Sequence, residues 1–222
     1  MTIKALIFDM DGLLADTEPL WQEAEIAVFS DLGFSLNREM CQKVMGLRID
    51  EVINHWITLF SLKNANPKVI ESRIIETLLS LIDKHATLLP GVQKVLDLAQ
   101  SNGLALGLAS SSHLKIIDCL LNKLQIRACF STICSAEYET FGKPHPAVFL
   151  TAAKELNVLP QNCLVFEDSI NGVIAARAAR MSVIAIPEKE HLNDVRFSIA
   201  NKVLPSLEFV TFPFEEMLSV IK

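Results

Sequence analysis

The chain has 222 residues, half of them hydrophobic, with 26 acidic against 20 basic side chains and a formal net charge of −6. That length suits one or two domains around a sizeable core, and the acidic balance excludes non-specific binding to nucleic acid or to anionic membrane surfaces. No apolar run approaches the ~20 residues a membrane helix needs, and Met1-Thr2-Ile3-Lys4 enters a strand pattern directly, without a signal-peptide layout.

The first predicted element is a strand. Apolar Ala5 to Phe8 runs straight into Asp9-Met10-Asp11-Gly12. An extended chain points alternate side chains the same way, so Asp9 and Asp11 start on one face. Gly12 permits an immediate turn because it carries no Cβ. Two acids at the carboxyl end of a buried strand stand where open α/β sheets bind ligands. One can act as a nucleophile and the other as a proton donor, and both can help hold a hard cation. The spacing alone fits an acidic turn without chemistry equally well.

From Asp16 to about Thr87 the pattern is helical and contains no good strand. Asp16 or Thr17 caps a helix that runs through Pro19, Trp21, Ala24 and Val28 and stops at Gly33. Asn66-Pro67 starts another, running to about His85. Both ends of this insert flank the acidic strand end, which is the position of a lid.

From Pro90 onward apolar runs alternate with amphipathic ones. Helices are expected over Gly91–Gln100, His113–Leu124, Pro146–Leu156 and Ile170–Arg180. Strands are expected over Leu104–Ala109, Ser131–Cys134, Cys163–Glu167 and Val183–Ile186. The strands are apolar without alternation, the mark of a parallel sheet covered on both faces. The expected fold class is therefore α/β: a Rossmann-like parallel sheet core with helices on both faces (residues 1–15 and 88–222), plus an inserted α-helical domain (16–87). Five scattered cysteines, odd in number and without a Cys-x-x-Cys pair, read as buried, reduced thiols of a cytoplasmic protein.

Three more polar clusters end predicted strands. Ser110-Ser111-Ser112 offers hydroxyls and backbone N–H groups to an anion such as phosphate, or simply caps a helix. In Gly142-Lys143-Pro144-His145-Pro146, Lys143 is a mobile point charge for a phosphate or carboxylate, Pro144 stiffens the loop and His145 structures it. Glu167-Asp168 places adjacent carboxylates that repel unless a cation or hydrogen bonds compensate. A few carboxylate oxygens completed by water and substrate is the Mg²⁺ pattern, although Asp168 or Ser169 also suits a helix cap. Convergence of all these groups on the ends of four strands is hard to explain as folding chemistry.

Asp9-Met10-Asp11-Gly12, Ser110, Lys143-Pro144 and Glu167-Asp168, in this order, resemble the haloacid dehalogenase-like hydrolase superfamily, and the helical insert resembles its α-helical-cap subfamily. Asp16-Thr17-Glu18-Pro19-Leu20-Trp21, Gly46-Leu47-Arg48-Ile49-Asp50, Leu89-Pro90-Gly91-Val92 and Lys143-Pro144-His145-Pro146 are similar to a bacterial group of hexitol and 2-deoxyglucose-6-phosphate phosphatases. The resemblance implies Asp9 as nucleophile and Asp11 as general acid/base, for which a raised pKa beside Asp9 would be useful. It implies Mg²⁺, or Mn²⁺ in its place, held by Asp9, Asp11 through its backbone carbonyl, and Asp168. Glu167 would be a further ligand or hold a bound water. Ser110, the Ser111 N–H and Lys143 would hold the phosphate. Asp11 favours phosphoester chemistry over dehalogenation, which needs no acid for an alkoxide. Ala147 departs from the pattern, because many relatives carry an acid there that supports the lysine.

The implied partner is a small phosphorylated sugar or polyol, with no nucleic acid and no membrane, bound by a monomer. Glu18 and Arg48 are candidates to hydrogen-bond its hydroxyls, whereas Trp21 and His113 read better as packing or surface residues. A phosphomutase would share the core and need a second phosphate site, for which Arg48 and Arg73 are the available cations. A non-catalytic sugar-phosphate-binding module would commonly have lost the nucleophile or the metal acids, and all of them are present.

Overall fold

In the computed structural model, which describes residues 2–218, strand β1 (Ala5–Phe8) is followed by four helices before the next strand. These are α1 (Glu18–Asp31), α2 (Arg38–Gln42), α3 (Ile49–Leu59) and α4 (Pro67–His85). The chain then alternates through α5 (Val92–Ser101), β2 (Ala105–Ser110), α6 (Leu114–Lys123), β3 (Thr132–Ser135), α7 (Ala147–Glu155), β4 (Cys163–Glu167), α8 (Ile170–Ala178) and β5 (Ser182–Ala185). A two-residue strand, β6 (Lys202–Val203), and a short helix, α9 (Phe214–Leu218), complete it.

All six strands are parallel, in the order β3-β2-β1-β4-β5-β6. The chain leaves β1 toward β2 and β3, then returns to place β4 on the other side of β1. The carboxyl ends of β1 and β4 therefore flank the topological switch point, where such sheets bind ligands. Both faces are covered, as the uninterrupted apolar strands require. Leu6 and Phe8 of β1 face one core with Leu108, Phe166 and Ile184, and Phe8 stacks on Phe166 at 5.1 Å. Ala5 and Ile7 face the other, under Phe149 of α7 and Val173 of α8.

The first core continues into the inserted helices through Leu14, Phe29, Trp56 and Ile74, so the insert is packed onto the sheet layer. Asn66 caps α4 as expected, its Oδ1 accepting from the Lys68 N–H at 3.1 Å. Thr17 stands at the α1 N-cap, yet its hydroxyl makes no cap bond and turns toward Asp11 instead. Among the described residues, no helix is long and apolar enough to cross a membrane.

Inside the insert, Glu25 is only 6% exposed and its Oε2 accepts from Trp56 Nε1 at 3.1 Å. Burial pushes its carboxyl from the ordinary 4.5 up to about 7, although the Trp56 bond opposes this. The folded protein then binds this proton more tightly than the unfolded chain, so stability falls as pH rises from about 4.5 to about 7 and stays lower above. Glu25→Gln is expected to remove that slope and to raise stability at pH 8 by up to about 3 kcal/mol. Urea denaturation at pH 5 and pH 8 measures it.

Candidate active site

Asp9 extends the β1–β4 pairing by one residue, its N–H donating to Phe166 O at 3.0 Å. That fixes its carboxylate over the switch point. Lys143, in the loop before α7, donates from Nζ to Asp9 Oδ1 at 2.6 Å and to Glu167 Oε1 at 2.7 Å. It is 2% exposed and lies over the Phe149 ring, 4.8 Å from its centroid. Burial works against the ammonium, but Asp9 and Glu167 outweigh it and hold the Lys143 pKa above its ordinary value. Lys143 is thus a pinned charge, not the mobile one its loop context suggests. Its support comes from Asp9 and Glu167, so the alanine at position 147 leaves it anchored.

Glu167 is fully buried, and its second oxygen accepts from the Ser169 N–H at 2.8 Å and hydroxyl at 3.0 Å. It fits beneath α8 only because residue 172 is glycine: a Cβ there would stand 1.6 Å from Glu167 Oε1. Gly172→Ala is expected to displace Glu167, loosen Lys143, and cost about 2 kcal/mol through overpacking. Thermal melting should show a loss of about 5 °C, accompanied by reduced turnover.

Asp168 is 5% exposed, and burial, then Glu167 and Asp9, raise its pKa well above the ordinary value. Burial likewise raises Asp9 to about 7, with Glu167 and Asp11 adding to it and Lys143 opposing. Oxygens of Asp9, Glu167 and Asp168 lie within 4.8 Å of one another, all buried. Gly12 makes room for Asp168. The glycine sits at φ +72°, and a Cβ would fall 2.2 Å from Asp168 Oδ2. Three carboxylates gather here and only two of them pair with Lys143, a cradle of hard oxygen donors that suits a divalent cation such as Mg²⁺.

The Asp11 side chain is not part of that cluster. Its Oδ1 accepts from Thr17 Oγ1 at 2.6 Å and Trp21 Nε1 at 3.1 Å, and its Oδ2 from Ser112 Oγ at 2.7 Å. Two of these donors come from the start of the inserted helices and one from the loop after β2. Trp21 is therefore more than a packing residue. The signal was its i+3 spacing from Glu18, which puts both on one face of α1. Thr17 and Ser112 sit inside segments that read as a helix cap and as an anion site, not as holders of Asp11, and Glu25 carries no motif.

Ser110 is 1% exposed and its Oγ accepts from the Ser112 N–H at 3.0 Å. Ser111 reaches the insert, its hydroxyl donating to Gly46 O at 3.2 Å. Ser110, Ser111, Asp9, Asp11, Lys143 and Asp168 all line one pocket, which Glu18 and Glu25 close from the α1 side. Glu18 accepts from Gln22 Nε2 at 3.2 Å, and burial pushes its carboxyl up to about 7. Arg48 does not line this pocket. Its Nη1 donates to Ala136 O at 3.2 Å and Glu139 O at 2.8 Å, and it pairs with Asp50 at 2.5 Å. His113 bridges Glu71 at 3.0 Å and Glu137 at 3.4 Å. His145 accepts from the Ala147 N–H at 3.3 Å, the loop-structuring role expected of it. Burial raises the Cys41 and Cys134 thiols to about 12 and Cys163 to about 11, which makes them inert as nucleophiles.

Acids, serine and lysine thus gather at the switch point of a parallel α/β sheet that carries helices inserted after β1. Residues 6–186 match the haloacid dehalogenase-like hydrolase family, and the chain belongs to it. It is 41% identical to hexitol phosphatase B of Escherichia coli O157:H7 over 210 residues, 94% of this chain and 95% of that one. It is 30% identical over 177 residues to a phosphorylated carbohydrates phosphatase of Thermotoga maritima, covering 80% and 82% of the two chains. Among solved structures, a β-phosphoglucomutase of Clostridium difficile superposes with a TM-score of 0.88 at 28% identity, over 98% of this chain and 97% of that one.

Proposed function

We propose that this protein is a Mg²⁺-dependent phosphomonoester hydrolase of small sugar phosphates, acting through an aspartyl-phosphate on Asp9. Hexose and hexitol phosphates such as 2-deoxyglucose 6-phosphate, mannitol 1-phosphate and sorbitol 6-phosphate are the substrates in view. The enzyme works as a cytoplasmic monomer on a diffusible substrate, with residues 16–87 as its cap. The observation that carries this reading is the buried Asp9–Lys143–Glu167 chain beside Asp168, with Asp11 held opposite it by donors from two elements.

Asp9 attacks phosphorus in line, forming its own P–O bond as the bond to the leaving alkoxide breaks. Asp11 donates a proton to that alkoxide and then takes one from the water that hydrolyses the aspartyl-phosphate. Ser110, the Ser111 N–H and Lys143 hold the transferring oxygens in preorganised positions. Asp9, Asp168 and the backbone carbonyl of Asp11 would hold Mg²⁺, or Mn²⁺ in its place. Glu167, with both oxygens already engaged, positions Lys143 and Ser169. When bound there, the metal would supply positive charge that offsets repulsion between Asp9 and a dianionic phosphate.

Acid quench during turnover of a substrate carrying radiolabelled phosphate tests the reading. Label should remain covalently on the protein and disappear in Asp9→Asn. Turnover without any trapped label would contradict the covalent route. The likeness to a β-phosphoglucomutase supports a second reading, phosphoryl transfer between sugar phosphates on the same core. That reading requires a cation in the pocket for a second phosphate.

A further inference from the structure

One face of α1 points to how the leaving group is chosen. Glu18, Trp21 and Glu25 follow one another at i, i+3 and i+7, the spacing of a single helical face. All three line the pocket that holds Asp9 and Asp11. Trp21, between the two acids, donates from Nε1 to Asp11 itself, at 3.1 Å. From Glu18 to Glu25 the helix rises about 10 Å, the scale of an extended six-carbon polyol. Glu25 is almost fully buried at the end of this row, anchored by Trp56.

The charge of this wall is one-sided. Among the described residues, the only cation lining the pocket is Lys143, and it is bound to Asp9 and Glu167. The two arginines that a second phosphate site would use are committed elsewhere. Arg48 is spent on Asp50 and two backbone carbonyls, and Arg73 pairs with Asp31 at 2.5 Å on the outer surface.

The geometry assigns leaving-group specificity to Glu18 and Glu25: they bind the hydroxyls of a neutral polyol and reject a leaving group that carries a second phosphate. Carboxyl groups suit this task because each presents two oxygens to hydroxyl donors. A dianionic phosphate needs cations or N–H donors, and this wall offers it only carboxyl groups, a mismatch that is an effective source of specificity. This rests on the phosphatase reading above. It deepens that reading by predicting monophosphate selectivity, and it leaves the mutase reading without its second anchor.

The test is steady-state hydrolysis of a matched pair, sorbitol 6-phosphate and sorbitol 1,6-bisphosphate, by the wild type, Glu18→Gln and Glu25→Gln. The wild type should favour the monophosphate in kcat/KM by about 100-fold. Each variant should narrow that ratio about tenfold, chiefly through a lower KM for the bisphosphate. A merely structural role would lower both substrates together and leave the ratio unchanged, and that result overturns the assignment. Equal use of the two substrates by the wild type also overturns it. Asp9-dependent hydrolysis of p-nitrophenyl phosphate alongside such equal use would sink this assignment alone. No hydrolysis of any of the three esters would sink the phosphatase reading with it.

Discussion

Replacing Asp9 with Asn is expected to abolish turnover, by about 10⁴-fold or more, and to leave the fold in place. The size of the loss follows from the proposed role of Asp9 as nucleophile rather than as a group that assists one. The fold survives because asparagine keeps the volume and the backbone bond to Phe166, and Lys143 retains Glu167 at 2.7 Å. Phosphate release and a melting curve on the same sample check both halves. Substantial residual activity would remove Asp9 from the role given to it, and a collapse of the melting transition would make its contribution structural.

Lys143→Met is expected to damage activity and stability together. The methionine fills the space over Phe149 but leaves Asp9 and Glu167, 7% and 0% exposed, without their shared ammonium. Breaking a buried ion pair from one side costs about 3–5 kcal/mol, because the remaining charge is uncompensated. For a chain of this size that lowers the melting temperature by about 10 °C. Loss of a preorganised cation at the transferring phosphoryl group should lower kcat by about 10²–10³-fold. A melting temperature equal to the wild type would contradict the view that this lysine neutralises the acids beneath the site.

The contrast between these two residues shows what could be read from the chain alone. Ala5 to Phe8 ending in Asp9 and Asp11, and Leu164 to Phe166 ending in Glu167 and Asp168, announce buried parallel strands with acids at their mouths, and the sheet order brings them side by side. Position along a strand decides where Asp9 points, so pattern was sufficient. Asp11 is different. Its orientation depends on Thr17, Trp21 and Ser112, whose approach is set by how α1 packs over the sheet, and no local spacing encodes that. Arg48 is a similar case, since its carbonyl partners lie 88 and 91 residues away in sequence. The edge strand β6, two residues long, is too short for any periodicity. Helix α8 begins as expected and ends two residues early, because Ala179 and Arg180 leave the helix and Arg180 takes a positive φ of 62°.

The most direct test of the account is phosphate release from a panel of sugar and polyol monophosphates, measured with and without Mg²⁺. Release that depends on the metal, peaks on hexose or hexitol phosphates and vanishes in Asp9→Asn is the predicted result. No release from any ester, or interconversion of sugar phosphate isomers without free phosphate once a bisphosphate is added, would contradict it.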